Sequence, residues 1–100
     1  MSDLPLNAAT LVRVTSGLHE RRVGAKVFVL DKESVMHAFE NEVAVAIWDL
    51  LTGQAGAALS AELIAQEIVK AFKVDAQQAS GDVISFLELL LARGLVTHAD

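Results

Sequence analysis

The change from strand to helix in this chain takes place within residues 35–53, which read VMHAFENEVAVAIWDLLTG. The first five residues form a short run with β-branched and aromatic side chains, which is typical of a strand. Later in the stretch the apolar residues recur at spacings of three and four, as on one face of a helix. Asn41 is a favourable N-cap, and Gly53 stands where a helix would end. We therefore predict a strand at Val35–Phe39 and a helix at about Asn41–Thr52.

Two similar runs precede this stretch, at Leu11–Val14 and Val23–Leu30, and predict two further strands. The polar interval Asp31–Ser34 has the length of a turn, so the second and third predicted strands should form an antiparallel hairpin. The segment Thr15–Arg22 is rich in titratable side chains and is expected to be a solvated loop. Because the second strand is apolar on both faces, we expect it in the middle of a meander covered on two sides, with the first and third strands as edges.

The C-terminal half predicts two more helices. Ser60 should cap a helix that runs to Lys73, and Asp75, followed three residues later by Gln78, resembles the capping box of a helix that runs to Arg93. The expected fold is α+β, a three-stranded antiparallel β-meander followed by three helices. The last two helices have the proportions of a helix-turn-helix.

Glycines punctuate the helical half. Gly53–Leu59 has the composition of a connector, and Gly94 should end the last helix before Leu95–Val96 returns as a brief extended segment. Gly81 lies inside the last predicted helix, where glycine costs about 1 kcal/mol relative to alanine. Three interpretations remain open: the helix tolerates this cost, the helix breaks at Gly81, or another backbone approaches closely there.

Length and composition predict one domain over residues 1–100, with a core at about 10–97. The chain has 100 residues, 53% of them hydrophobic and 21% charged, and no cysteine. These values exclude a multidomain enzyme, a disulfide scaffold and a disordered acidic tail. The N-terminus lacks the basic start of a secretory signal, and no apolar run is long enough to span a bilayer. We expect a cytoplasmic protein without a membrane partner.

The charge is distributed unevenly, which bears on nucleic acid as a partner. Residues 1–32 carry five basic and three acidic side chains, whereas residues 33–100 carry three basic and ten acidic ones. A helix that reads DNA normally stands above a basic surface. The last predicted helix instead begins with polar or acidic side chains and has its one arginine at the far end: Gln77, Gln78, Ser80, Asp82, Ser85 and Arg93. Nucleic acid is not expected as a partner, and a winged-helix DNA-binding regulator remains an alternative.

The residues that carry enzyme chemistry are few. The three histidines, His19, His37 and His98, show none of the usual metal-ligand spacings, and no phosphate-binding glycine loop or nucleophile motif is present. The neighbouring carboxylates lie beside predicted turns, where solvation explains them. We expect no catalytic residue, no metal and no cofactor, and an enzyme is the last of the candidate classes.

The third predicted strand has the properties of an open sheet edge. No proline or lysine protects Val35–Phe39 from pairing with another chain. An exposed edge beside an apolar helix can bind an extended peptide through main-chain hydrogen bonds. The alternatives are that the N-terminal arm, the last helix or a second copy of the chain covers this edge, which would make the protein a structural or dimerisation module or a homodimer.

An ordered set of short motifs resembles the PqqD-like family over about residues 10–97. The matching segments are Val35–Ala44, Ile47–Gly53, Ile64–Phe72, Asp82–Val83, Phe86–Leu87, Leu90 and Gly94–Val96. The resemblance implies a winged-helix-like α+β domain that recognises precursor peptides without catalysing a reaction. In this family the leader part of a ribosomally made precursor is held and presented to a modifying enzyme, often a radical S-adenosylmethionine enzyme.

The resemblance also implies where the leader peptide binds. It would lie as an added strand against the third predicted strand, in a groove closed by the last helix. The peptide-binding residues would then be Val35, Met36, His37, Ala38, Phe39, Asp82, Ser85, Phe86 and Leu89. Glu40 stands where the family usually has leucine before the asparagine, and Phe39 fills that apolar place after a shift of one residue. Since such a shift exchanges the faces of a strand, the sequence leaves open which face of the third strand is buried.

Overall fold

The computed structural model describes residues 6–7, 9–53 and 58–99. Within these residues the chain forms β1 (Leu11–Val14), β2 (His19–Val23), β3 (Lys26–Leu30), β4 (Met36–Phe39), α1 (Glu42–Gly53), β5 (Leu59–Ser60), α2 (Ala61–Phe72), α3 (Ala76–Ala92) and β6 (Val96–His98). The strands form two small antiparallel sheets, in the orders β5-β1-β6 and β2-β3-β4. The predicted α+β class, with a three-stranded meander followed by three helices, is confirmed.

The meander uses strands that differ in part from the predicted ones. The strand predicted at Val23–Leu30 is interrupted by a turn at Gly24, whose φ of 63° is left-handed, and only its second part is β3. The segment Thr15–Arg22, expected to be a loop, supplies most of β2, which pairs with β3 in the register Arg21↔Phe28. All five residues of β2 are exposed. The prediction of a loop is wrong because this strand depends on backbone pairing and has no apolar alternation.

The expectation that the first strand borders the meander is also wrong. β1 is instead the middle strand of the other sheet, where Val12 pairs with Leu59 of β5 and with His98 of β6. These partners lie far along the chain, so no local pattern indicated them. The brief extended segment predicted after the last helix is confirmed as the start of β6.

β3 is the predicted middle strand, but only one of its faces is covered. Val27 and Val29 are 0% exposed and lie in the hydrophobic core. Phe28 and Leu30 are half-buried, point to the other face and are not part of the core cluster formed by the described residues. The expectation that the meander is covered on both sides is therefore wrong.

The helices begin at the predicted caps. The Asn41 side chain accepts hydrogen bonds from the backbone N–H groups of Val43 and Ala44 at 2.8 and 3.3 Å. Ser60 accepts one from the N–H of Leu63 at 3.1 Å. These oxygens pair with backbone donors that the first turn of a helix leaves unsatisfied.

The third helix has well-defined ends and no break. The Asp75 carboxylate accepts hydrogen bonds from Gln77 and Gln78 at its start. At its end, Gly94 (φ 73°) donates to Leu91, and the next N–H donates to Leu90, which is the Schellman pattern. The helix continues through Gly81, and nothing lies within 4 Å of a Cβ built there. Of the three readings of Gly81, only the helix-propensity cost applies.

The core lies between the helices and the inner faces of the two sheets. Its large side chains with less than 2% exposure include Trp48, Ile64, Ile68 and Leu87. Residues 54–57 of the predicted connector lie outside the described part of the chain, and Leu59 at its end begins β5. Among the described residues, none of the helices has the length and apolar character needed to cross a membrane.

Candidate functional site

β4, which contains most of the third predicted strand, forms one edge of the meander. The backbone N–H of Asp31 donates to the carbonyl of Val35 at 3.0 Å, which marks these residues as a hydrogen-bonded pair. Such pairs alternate with non-hydrogen-bonded ones along an antiparallel ladder. With the register Val29↔His37 and Phe28↔Ala38, the N–H and C=O groups of Met36 and Ala38 point away from β3. The edge thus offers two donors and two acceptors to an added strand.

The side chains of β4 alternate between two environments. His37 and Phe39 are buried, at 7% and 4% exposure, and face the helices. Met36 is 58% exposed, and Ala38 is exposed on the opposite face. Val35 precedes the strand and is exposed. The sequence left open which face of this strand is buried, and the structure shows that it is the face of His37 and Phe39. Phe39 therefore takes the apolar position next to the helices.

A groove of about 470 Å³ lies between α1 and α3, close to the end of β4. One wall consists of the four α3 residues predicted to bind the peptide, Asp82, Ser85, Phe86 and Leu89. The other consists of Asn41 and three residues of α1, namely Val43, Ala44 and Ile47. Leu89 is 40% exposed although it is large and apolar. The α1 residues were not predicted, because an apolar stripe on a helix does not show which of its residues face the core and which line a groove.

An aromatic contact joins the groove to the edge strand. The ring of Phe86, half-buried on α3, meets the ring of Phe39 edge-on, with centroids 5.4 Å apart and an interplanar angle of 79°. Phe39 also contacts Trp48 of α1, at 5.4 Å between centroids. The structure therefore brings Phe39 of β4 into contact with Phe86, one of the predicted α3 residues that line the groove.

A buried polar pair holds the turn that leads into β4. The Nε2 atom of His37 lies 2.8 Å from the Oδ2 atom of Asp31. The Oδ1 atom of Asp31 accepts hydrogen bonds from the backbone N–H groups of Glu33 and Val35, at 2.8 and 2.9 Å. The hydrogen bond with His37, followed by that from Val35, lowers the pKa of Asp31 below its ordinary value of 3.8. His37 thus links the turn to β4 on the buried face of the strand.

A second polar network attaches β2 to α1. Glu20 accepts hydrogen bonds from the indole N–H of Trp48 and from the Nε of Arg22, both at 3.0 Å. The same guanidinium pairs with Asp49, and that hydrogen bond raises the pKa of Arg22. Glu20 and Arg22, expected in a solvated loop, therefore help to fix the meander on the helix that borders the groove.

The described residues contain no group of three or more His, Cys, Asp or Glu side chains that could hold a metal ion. His19 lies in β2, and His98 lies in β6 of the other sheet. The groups that converge on the groove are instead apolar side chains with a polar end formed by Asn41, Asp82 and Ser85. This arrangement is suited to binding an extended chain.

The fold defines a winged-helix-like α+β domain in which the outer edge of β4 has no partner strand among the described residues and a groove lies between two helices. Residues 27–96 match the family model described as Coenzyme PQQ synthesis protein D (PqqD), and the chain belongs to this family. Proteins of this family are typically non-catalytic and bind peptides.

The solved structure of TbiB1 in complex with the TbiA(beta) leader peptide has a similar fold, with a TM-score of 0.75 and 21% sequence identity. The match covers 88% of this chain and 99% of that chain. A search among curated proteins found no match.

Proposed function

We propose that this protein is a non-catalytic adaptor that binds the leader of a ribosomally made precursor peptide by strand addition to β4. The leader forms main-chain hydrogen bonds with Met36 and Ala38, and its side chains on the inner face enter the groove between α1 and α3. A separate enzyme then modifies the core of the precursor. The adaptor holds the leader and so raises the local concentration of the core at that enzyme.

The observation that carries this proposal is that no strand of the described part of the chain pairs with the outer side of β4, which lies close to an apolar groove. Met36 and Ala38 direct their N–H and C=O groups away from the sheet, and Leu89 exposes apolar surface in the groove close by. Main-chain groups of this kind give affinity, and alternate side chains give selectivity. The family membership and the fold shared with a protein solved with a leader peptide support the same function.

The partner enzyme is part of the proposal. By its resemblance to the family, we infer a radical S-adenosylmethionine enzyme that acts on the precursor in the cytoplasm. The adaptor supplies none of that chemistry, and its role ends when the core of the precursor reaches the enzyme.

The test uses proline, which lacks the N–H that an added strand requires. Met36→Pro and Ala38→Pro should each weaken binding of a cognate precursor peptide by about tenfold or more, since each removes one main-chain hydrogen bond and obstructs the edge. Met36→Val is the matched control, because it keeps the N–H and suits a strand. Affinities are measured by calorimetry, and circular dichroism checks that helix content is retained.

Titration of the ¹⁵N-labelled protein locates the contact. The amide signals of Met36 and Ala38, and of the groove residues on α3, should shift with added peptide. Equal affinity of the proline variants and Met36→Val would rule out strand addition to β4. Tight binding of duplex DNA with a steep salt dependence would favour the winged-helix regulator instead.

A further inference from the structure

The face of the meander turned away from the helices, here called the outer face, carries apolar side chains that no other described element covers. They are Val23, Phe28, Leu30, Met36 and Ala38, and the polar side chains of His19, Arg21, Lys26 and Glu40 lie on the same face. Antiparallel sheets that face water on one side are usually polar there. Here Met36 and Val23 are each 58% exposed, and a cavity of about 590 Å³ lies over Phe28, Leu30 and Met36. Because side chains alternate along a strand, a strand added to β4 would place some of its side chains on the outer face and the others on the face turned to the helices.

The strand register arranges the outer face in rows that end at the free edge. One row runs from His19 through Leu30 to Met36, and the next from Arg21 through Phe28 to Ala38. An added strand would lie about 4.8 Å beyond β4 and continue each row. In the first row the long Met36 side chain already occupies the edge. In the second, Ala38 has only a methyl group and Phe28 is half-buried, so a large apolar side chain of the peptide can lie over Ala38 and reach Phe28.

The charged side chain nearest to an added strand at this end of the edge is that of Glu40, whereas Lys26 on β3 and Arg21 on β2 lie one and two strands further away. Glu40 lies two residues beyond Ala38, and its carboxylate is 3.8 Å from the Nζ of Lys26, its neighbour across the strands. Both side chains are more than half exposed, at 60% and 53%, and such an ion pair contributes little. On the groove side, Asp82 has no cationic group within 4 Å among the described residues. This end of the edge thus favours a cationic residue of the peptide.

We propose that the peptide bound along β4 carries a large apolar residue beside Ala38 and a lysine or arginine two positions away, beside Glu40. The residue between them lies on the opposite face, next to Phe39, and enters the groove. This inference rests on the proposed function and adds the chemical class of its ligand. The peptide is recognised on both faces, by α1 and α3 on one side and by Phe28 on the other.

The experiment selects peptides from a phage-displayed library of random twelve-residue sequences, with the wild-type protein as bait. The enriched peptides should share a large apolar residue and a lysine or arginine two positions apart. The same selection is repeated with Ala38→Leu, which fills the space beside Phe28 and keeps every backbone group, and with Glu40→Lys. Circular dichroism verifies that each variant is folded.

Each variant should change one position of the selected peptides. With Ala38→Leu the apolar position should shift to glycine, alanine or serine, and the best wild-type peptide should bind about tenfold more weakly, as expected when a large side chain loses its buried surface. With Glu40→Lys the cationic position should shift to aspartate or glutamate, while the apolar position is kept.

Failure of this inference differs from failure of the proposed function. Peptides that lose affinity for Met36→Pro but not for Met36→Val, and that lack the pair of residues at this spacing, would overturn the inference alone. Unchanged preferences in Ala38→Leu and Glu40→Lys would do the same. If the selected peptides bind Met36→Pro as tightly as Met36→Val, the site is not the edge of β4, and both proposals fail.

Discussion

Asp31 shows how one side chain positions the edge strand. Its two carboxylate oxygens accept hydrogen bonds from the N–H groups of Glu33 and Val35 and pair with the ring of His37. The carboxylate therefore stabilises both the turn before β4 and the buried His37 within β4. The orientation of the edge depends on this residue although Asp31 itself lies outside β4.

We expect the contact between Asp31 and His37 to make the free energy of unfolding depend on pH in the acidic range. Because the pKa of Asp31 is lowered in the folded protein, the unfolded chain binds the proton more tightly. The stabilisation is complete above the unfolded value of about 3.9 and is lost as the pH falls through the lower folded value. Asp31→Asn should be less stable than wild type at pH 7, and the difference should narrow by pH 2. Urea unfolding at both pH values measures it, and a constant difference would contradict this role.

The buried indole N–H of Trp48 depends on Glu20 for its hydrogen-bond acceptor. Trp48 is 1% exposed, and its N–H donates to Glu20 at 3.0 Å. Glu20→Ala leaves this buried donor without its partner and should cost about 1 to 2 kcal/mol of unfolding free energy. Arg22→Ala, which removes only exposed ion pairs, should cost less than about 1 kcal/mol. Denaturant unfolding compares the two, and equal costs would show that the ion pairs carry the contribution.

At the scale of secondary-structure elements, α3 contains one residue, Gly81, whose substitution should stabilise the protein. Gly81 is exposed within the helix, and a Cβ added there meets nothing within 4 Å. Gly81→Ala should therefore raise the unfolding free energy by about 0.5 to 1 kcal/mol, because alanine loses less backbone entropy on folding. Thermal and urea unfolding test this value. A destabilised variant would mean that the helix is distorted at this position.

The accuracy of the predicted elements depended on the range of the interactions involved. The helix starts at Asn41, Ser60 and Asp75 were predicted correctly because a cap satisfies backbone donors two or three residues away. β2 was missed because its exposed residues, such as Arg21 and Glu20, have no apolar period. β1 was placed in the wrong sheet because its partners β5 and β6 lie far along the chain.

At the scale of the whole molecule, the candidate site is assembled from distant segments. β4 and the start of α1 are continuous in sequence, whereas α3 follows about forty residues later and reaches them through the contact of Phe86 with Phe39. The strand edge and the outward residues of α3 were predicted from the sequence and the family resemblance. The contribution of α1 to the groove required the tertiary arrangement that places α1 and α3 on either side of it.

Peptide binding should stabilise the entire domain. A ligand that binds only the folded state adds about 2.7 kcal/mol at one hundred times its Kd. For a domain of this size, each kcal/mol raises the Tm by about 4 to 8 °C, so the rise should be roughly 10 to 20 °C. Thermal unfolding with and without the precursor peptide measures the shift, and Met36→Pro, with about tenfold weaker binding or more, should show about half of it or less at the same peptide concentration. An unchanged Tm at saturating peptide would contradict binding to the folded edge.

The sequence by itself determined the helix boundaries, the hairpin that leads into the edge strand, and the absence of proline and lysine from that edge. Each of these follows from interactions between residues close in the chain. Only the tertiary structure decided that His37 and Phe39 face the helices, that α1 borders the groove, and that the described helices leave the outer face exposed. The physical reason is that strand pairing and side-chain burial join residues far apart in sequence, and the shared core selects among the pairings that local patterns allow.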